Sequence, residues 1–338
     1  MEIVEFRPEM AAGLARCYND LVADVPHCYP VSVEAFSSME RLASANCHDE
    51  ALLAAREEGE VAGFVHVGIA NPPKFDWHPQ GEPGVIRFLS YRPGQRQIGT
   101  ALLEAAEKWA RERGRGEIFG WNSLYAYPFY HLFHANLSDR LGHLHSLFGK
   151  AGYQPDWGEV FFDWTGFVPP AVPMPALNFD LEVERQEKPE HERNQTVVKA
   201  LHNGEEIGRC IMLRLGEVLP RPDGREWSFC DWLGVNEPLQ GRGLGKFLLA
   251  QSLVEMQRAG CKHAAISTSH QNYRAYLFYT NFGFNFCDRT TSFRKQLENL
   301  ALTAEDAETC PEPAEGAQRR IFGWPPEPSA PLFRWAGP

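Results

Sequence analysis

Apolar and polar positions along the chain follow two rhythms, one of period two and one near 3.6, and their order sketches a mixed α/β fold. Residues 2–6 alternate as a short strand, and 9–23 carry helical spacing. Ser32 suits a helix N-cap and predicts a second helix running toward Ala43. Residues 51–56 and 61–68 read as the strands of a hairpin, joined by Glu57-Glu58-Gly59-Glu60. A strand at 85–89 precedes Leu102, Leu103, Ala106 and Ala110, which recur at helical spacing until Gly114 ends the run. An irregular stretch rich in aromatics and histidines, 117–153, leads to a strand at 160–164.

Val168-Pro169-Pro170-Ala171-Val172-Pro173-Met174-Pro175 then interrupts the pattern, because closely spaced prolines continue neither a helix nor a central strand. Beyond it the order partly repeats. Strands fall at 179–183, 196–200, 207–213 and 228–235, followed by a helix at 244–258 that Gly260 ends. A strand at 264–268, a helix at 273–280 and a strand at 284–293 complete the series. From about Asn299 the composition turns to Pro, Glu and Ala, which predicts a disordered tail or an arm docked by Phe322, Trp324, Phe333 and Trp335. The expected division is a first domain over 1–167, a linker over 168–175, a second domain over 176–298 and a tail over 299–338.

Composition narrows the function classes. A chain of 338 residues has room for two cores, and 43% apolar with 23% charged residues is ordinary for globular domains. The net charge of −11 argues against a nucleic-acid or anionic-membrane partner, since phosphate-binding faces need clustered Lys and Arg. Residues 1–8 are charged where a signal peptide would be apolar, no window is long enough to span a bilayer, and eight cysteines lack any CxxC pair. A cytoplasmic protein with reduced thiols and no metal site is expected.

The informative segment is Val235-Asn236-Glu237-Pro238-Leu239-Gln240-Gly241-Arg242-Gly243-Leu244-Gly245-Lys246. A strand runs into a turn with three glycines and straight into an amphipathic helix. The free N–H groups and positive dipole end of a helix start hold anions, and glycine lets the backbone approach a phosphate. Arg242 and Lys246 add cationic donors. Phe247 after Lys246 excludes a P-loop, which needs Ser or Thr there, and Lys246 stands where a dinucleotide fingerprint needs its third glycine.

Gln240-Gly241-Arg242-Gly243-Leu244-Gly245 resembles the Q/R-x-x-G-x-G/A pyrophosphate loop of the GNAT N-acetyltransferase superfamily. The stretch from Asn272 through Tyr279 to Gly283-Phe284 resembles the family's N-x-x-A-x-x-L/F-Y-x-x-x-G-F signature. The resemblance implies an acyl-CoA N-acyltransferase fold, in two tandem copies, that binds acetyl-CoA as substrate. It implies pyrophosphate on the N–H groups of 241–246, the pantetheine arm between splayed strands ending near Val235 and Thr268, and Asn272 helping to hold the arm. It also implies Tyr279 as the acid that protonates the departing thiolate, the alternative for Tyr279 being a core aromatic. Asp231 and Glu226, on or beside the preceding strand, are the candidate bases, against the alternative that both are surface carboxylates and water takes the proton.

The first half resembles a worn copy of this pattern. Aligning Gly99 with Gly245, an offset of 146, keeps Arg96 on Arg242 but puts Gln95 on Gly241, Gln97 on Gly243 and Val85 on Asp231. Phe148 falls on Tyr279, and a net insertion that includes 124–130 separates the two motifs. The second half, in turn, has no room between 179–183 and 196–200 for the two helices that, as the resemblance implies, wall the acceptor site in related folds. Its acceptor pocket is therefore expected to be completed by the first half or by the tail. His131, His134, His143 and His145 lie close in sequence but lack a metal-site pattern and read as polar groups lining an aromatic cleft. The expected activity is acetyl transfer to the primary amine of a small, cationic molecule. The alternatives are a silent acyl-CoA-binding sensor or scaffold, or an acetyltransferase of protein N-termini or lysines. Oligomeric state is not legible.

Overall fold

The computed structural model describes residues 1–72, 81–187 and 194–297. The first half contains β1 (Glu2–Glu5), α1 (Ala11–Val22), α2 (Met39–Leu42), β2 (Cys47–Glu57), β3 (Glu60–Ala70) and β4 (Gly84–Tyr91). It continues with α3 (Arg96–Glu112), β5 (Glu117–Gly120), β6 (Leu137–Ser138), α4 (Gly142–Lys150) and β7 (Gln154–Trp164). The second half contains β8 (Asp180–Gln186), β9 (Gln195–His202), β10 (Glu205–Arg214), β11 (Trp227–Val235), α5 (Leu244–Arg258), β12 (His263–Ser269), α6 (Tyr273–Phe282) and β13 (Asn285–Gln296). The tail over 299–338, with its four aromatics and Cys310, lies outside the described residues.

Each half opens as an antiparallel meander, β1 to β4 and β8 to β11. A helix then crosses over to a parallel neighbour, β4–α3–β5 in the first half and β11–α5–β12 in the second. Parallel pairing requires such a crossover. The helices bury the stripes that their spacing announced: Ile98, Leu102, Leu103 and Ala106 on α3, and Leu244, Leu248, Leu253 and Met256 on α5.

The described strands form one mixed sheet, in the order β1-β2-β3-β4-β5-β13-β7-β12-β11-β10-β9-β8. The halves exchange their last strands: β7 lies between β12 and β13, and β13 lies between β5 and β7. Alternation along β7 divides its side chains between two cores. Phe161 joins the core that holds Phe88 and Trp121, while Val160 and Phe162 join the core that holds Leu248, Ile266 and Tyr279. Neither half can close alone without exposing long strand edges.

The helix expected from Ser32 to Ala43 is broken into a 3-10 turn, Val33–Phe36, and the single turn of α2. Ser37 Oγ donates to the Glu34 carbonyl at 2.9 Å and Ser38 is extended (φ −154°), so local serine bonding competes with the helix ladder. Phe36 and Leu42 anchor the two fragments in the core. No helix among the described residues is long and apolar enough to cross a membrane.

Candidate functional site

The parallel pairing of β11 and β12 runs from Trp227↔His263 to Cys230↔Ile266 and stops. At that point β11 bulges: Met212 faces Cys230 and Ile211 faces Trp232, which leaves Asp231 as the extra residue. A bulge bends its strand and ends pairing, and here it opens a wedge between 231–235 and 267–269. On its other side β12 stays paired to β7 as far as Ser269↔Glu159. The wedge therefore presents an unpaired β11 edge to any extended chain that enters it, while Val235 stands near its mouth.

The glycine loop lies beyond Val235. Gly241 and Gly243 have φ of +77° and +88°, and Gly243 is the N-cap of α5. Side chains rarely adopt this left-handed conformation. Gly245 faces Val235, where an added Cβ would sit at an ordinary 3.6 Å from Cγ2. Gln240 ties the turn together, with Nε2 donating to the Val235 carbonyl at 3.0 Å and Oε1 accepting from Arg274 at 2.8 Å. Gly241, Arg242, Gly243 and Lys246 are exposed. The first ladder bond after the turn is Phe247 N–H to the Gly243 carbonyl at 3.0 Å, so the N–H groups before it point to an open surface.

Tyr279, on α6, is 7% exposed and packs against Phe162, Phe278 and Phe284. Burial, reinforced by Cys230, Cys210 and Glu159 nearby, pushes its phenol well above its usual range, so it is a protonated group at the base of the wedge. Asn272 caps α6 instead of projecting freely: its Oδ1 accepts from Ala275 N–H at 3.1 Å. Glu226 is not brought to the wedge. It precedes Trp227 at the opposite end of β11 and is engaged with Lys262, which holds its carboxyl below the usual range.

Two polar residues arrive there from the first half: His134, expected only as one of the polar groups lining an aromatic cleft, and Glu159, which no motif singled out. His134 Nε2 lies 3.1 Å from Asp231 Oδ1, with side-chain exposures of 46% and 22%. Phe133 beside it packs on Phe229. Glu159, on β7, is 9% exposed and receives Trp157 Nε1–H at 3.0 Å. Burial raises its carboxyl pKa, against the pull of His134 and of hydrogen bonds from Ser267 and Trp157. Their sequence signal was the insertion and the exchanged strand, but no local pattern states where either docks.

The equivalent place in the first half is filled. Pairing of β4 with β5 ends at Ile86↔Gly120, and the bulge between His66↔Phe88 and Val67↔Ile86 makes Arg87 the counterpart of Asp231, not Val85 as the glycine alignment gave. The shift arises because the first half has two residues fewer between the bulge and the aligned glycine, Gly99 or Gly245. Arg87 is 1% exposed and bonds the Glu50 carboxylate and, at 2.8 Å, the Tyr125 carbonyl. His66 Nε2 is 3.0 Å from the same carboxylate, and burial pushes its pKa down to about 4. Trp121 and Tyr127 from the insertion lie on Phe88 at ring separations of 4.4 and 5.1 Å. At the helix start, Ile98 and Gly99 N–H already bond the Gln95 carbonyl at 3.0 and 3.4 Å. Gly99 is required by packing, since a Cβ there would lie 2.4 Å from the Tyr91 ring.

The four histidines go to separate partners: His131 to Asp288, His134 to Asp231, His143 to the Tyr91 carbonyl and His145 to the Ser138 carbonyl. His27, Asp163 and Cys287 bring possible ligand atoms within 4.8 Å of one another. However, His27 Nδ1 faces the Arg221 guanidinium at 3.4 Å, where a metal-bound imidazole needs an acceptor for its N–H.

The family described as "Acetyltransferase (GNAT) family" matches residues 15–134 and again 159–284. A search of curated proteins finds no match. Among solved structures, a tandem GNAT protein from the clavulanic acid biosynthesis pathway is similar with a TM-score of 0.59 at 15% identity, over 88% of this chain and 98% of its own. A GCN5-related N-acetyltransferase from Sphaerobacter thermophilus gives 0.58 at 15% identity, over 88% and 96%. A GCN5-related glucosamine N-acetyltransferase region of a fungal multi-domain β-N-acetylglucosaminidase gives 0.60 at 15% identity, over 87% of this chain and 38% of that one.

Proposed function

Because the family's pattern matches both halves, the chain belongs to the acetyltransferase (GNAT) family as a tandem GNAT acyltransferase, and from that premise we propose that its second half transfers acetyl from acetyl-CoA to the primary amine of a small acceptor. The carrying observation is that the wedge beginning at Asp231 lies open beside the glycine helix start at 241–246, whereas the matching place in the first half holds the buried Arg87. In this reading the pyrophosphate rests on the loop N–H groups with Arg242 and Lys246 beside it. The arm enters the wedge as an added strand. An N–H near Val235 polarises the thioester carbonyl. Tyr279, buried and protonated, gives its proton to the departing thiolate. Proton removal from the incoming ammonium falls on the Asp231 side of the wedge.

The domain division at 1–167 and 176–298 about the 168–175 linker belongs to the same proposal, with the final strands exchanged. A small acceptor is favoured because Phe133 and His134 overhang the wedge from the first half. The acidic balance favours a cationic one. The name of the similar fungal region makes glucosamine the first amine to try, with spermidine and lysine as other amines of that kind. A cytoplasmic setting is part of the reading, and the free thiols among the described residues support it.

The test is thiol release from acetyl-CoA with each amine, read against Tyr279→Phe. We expect amine-dependent release that falls by about 10²-fold or more in the variant. Wild-type rates in Tyr279→Phe would remove it as the acid, and binding of acetyl-CoA with no release to any amine would favour a silent acyl-CoA-binding protein.

A further inference from the structure

Asp231 is the bulged residue at the point where β11 and β12 part, and one of its oxygens already meets His134 Nε2 at 3.1 Å, across 97 residues of sequence. His134 is held in a left-handed conformation (φ +65°), unusual for a non-glycine residue. Trp121 and His131 in the same insertion have φ of +55° and +58°. Such backbone is strained and survives where the surrounding structure requires it. Here it swings the imidazole onto Asp231 at the wedge and leaves it half exposed.

We propose that His134 is the general base of the second half's transfer and that Asp231 is its positioning residue. The inference rests on the acyl-transfer reading above. Two carboxylates compete for the role, and chemistry favours the imidazole over either. Glu159 is 9% exposed and its charge is committed to the Trp157 indole and the Ser267 hydroxyl. Asp231 alone is a carboxylate, a poor match for an ammonium proton at neutral pH, whereas an imidazole changes charge in that range. With Asp231 holding one ring nitrogen, the other is left to accept, the division of labour of any carboxylate–histidine pair. Nδ1 takes a proton from the ammonium. The freed lone pair attacks the thioester carbon, so a C–N bond forms and the C–S bond breaks. The thiolate leaves with the proton of Tyr279. As the amide forms, the adduct nitrogen sheds its second proton and restores the Tyr279 phenol, so the one proton released overall is the one that His134 passes to water.

The acceptor need not be known to test this. Bromoacetyl-CoA places an alkylating carbon where the acetyl group would lie. Calorimetry reports whether it binds, and peptide mass spectrometry reports where it reacts. We expect a bromoacetyl-CoA adduct on His134, blocked by excess CoA, absent in His134→Gln, and formed at least about tenfold more slowly in Asp231→Asn when the probe still binds. Binding without an adduct on His134, or an undiminished rate in Asp231→Asn, would overturn the assignment. Failure of the probe to bind at all would overturn the acyl-transfer reading itself, and His134 with it.

Discussion

The two halves build the same bulge at the same place and put opposite contents into it. In the second half Asp231 occupies the bulge, the strands part, and the helix start beyond is open. In the first half Arg87 occupies it, bound to Glu50 and the Tyr125 carbonyl with its guanidinium over the Tyr127 ring, while Trp121 lies on the neighbouring Phe88. The insertion that fills the first wedge runs on to lay Phe133 and His134 over the second. One wedge has become core, and the material that closed it supplies a wall of the other. On the proposed reading, a worn copy of a domain keeps its fold and serves as part of its neighbour's site.

The severest way to break this comparison is to separate the halves. A 176–338 fragment lacks β7, which lies between β12 and β13 and carries Glu159, and it lacks His134. We expect it to be aggregated or unfolded by circular dichroism and inactive, whereas a folded and fully active fragment would show that the exchange is dispensable. Next in size is the contrast between the two bulge residues. Arg87→Met leaves the Glu50 carboxylate buried without its guanidinium partner, and breaking such a pair costs about 3–5 kcal/mol. Asp231→Asn loosens a half-exposed pair worth no more than about 1 kcal/mol. Urea denaturation should separate them clearly, and equal losses would mean that the two wedges do not differ in kind.

A smaller effect follows from His66. Its folded pKa of about 4 lies below the ordinary 6.5, so between those values the unfolded chain binds the extra proton. Its contribution is fully present above pH 6.5 and is lost as the pH falls to about 4. Urea midpoints should decline across that interval in the wild type and decline less in His66→Gln. An unchanged slope would assign the acid sensitivity elsewhere.

How much of this was written in the sequence depends on distance along the chain. The span of α5 followed from its own glycine loop, apolar stripe and Gly260, all local features. The glycine loop and Tyr279 were legible for the same reason. The 32–43 helix failed because Ser37 and Ser38 bond locally, a competition that periodicity does not weigh. Glu226 was placed beside the site by proximity in sequence, yet a strand holds its two ends apart, and Lys262 engages it there. Arg87 was missed because the loop lost two residues relative to the bulge, and only strand register reveals that. His134 and Glu159 reach the wedge through an insertion and an exchanged strand, and no short pattern encodes either contact.

Native mass spectrometry with acetyl-CoA tests the central claim most directly, that one wedge is open and the other is filled. Gly243 and Gly94 both have left-handed φ, +88° and +91°, and an aspartate at either position adds similar strain and charge. We predict one acetyl-CoA per chain, lost in Gly243→Asp and retained in Gly94→Asp. Two bound molecules, or one that survives Gly243→Asp and disappears in Gly94→Asp, would contradict the account.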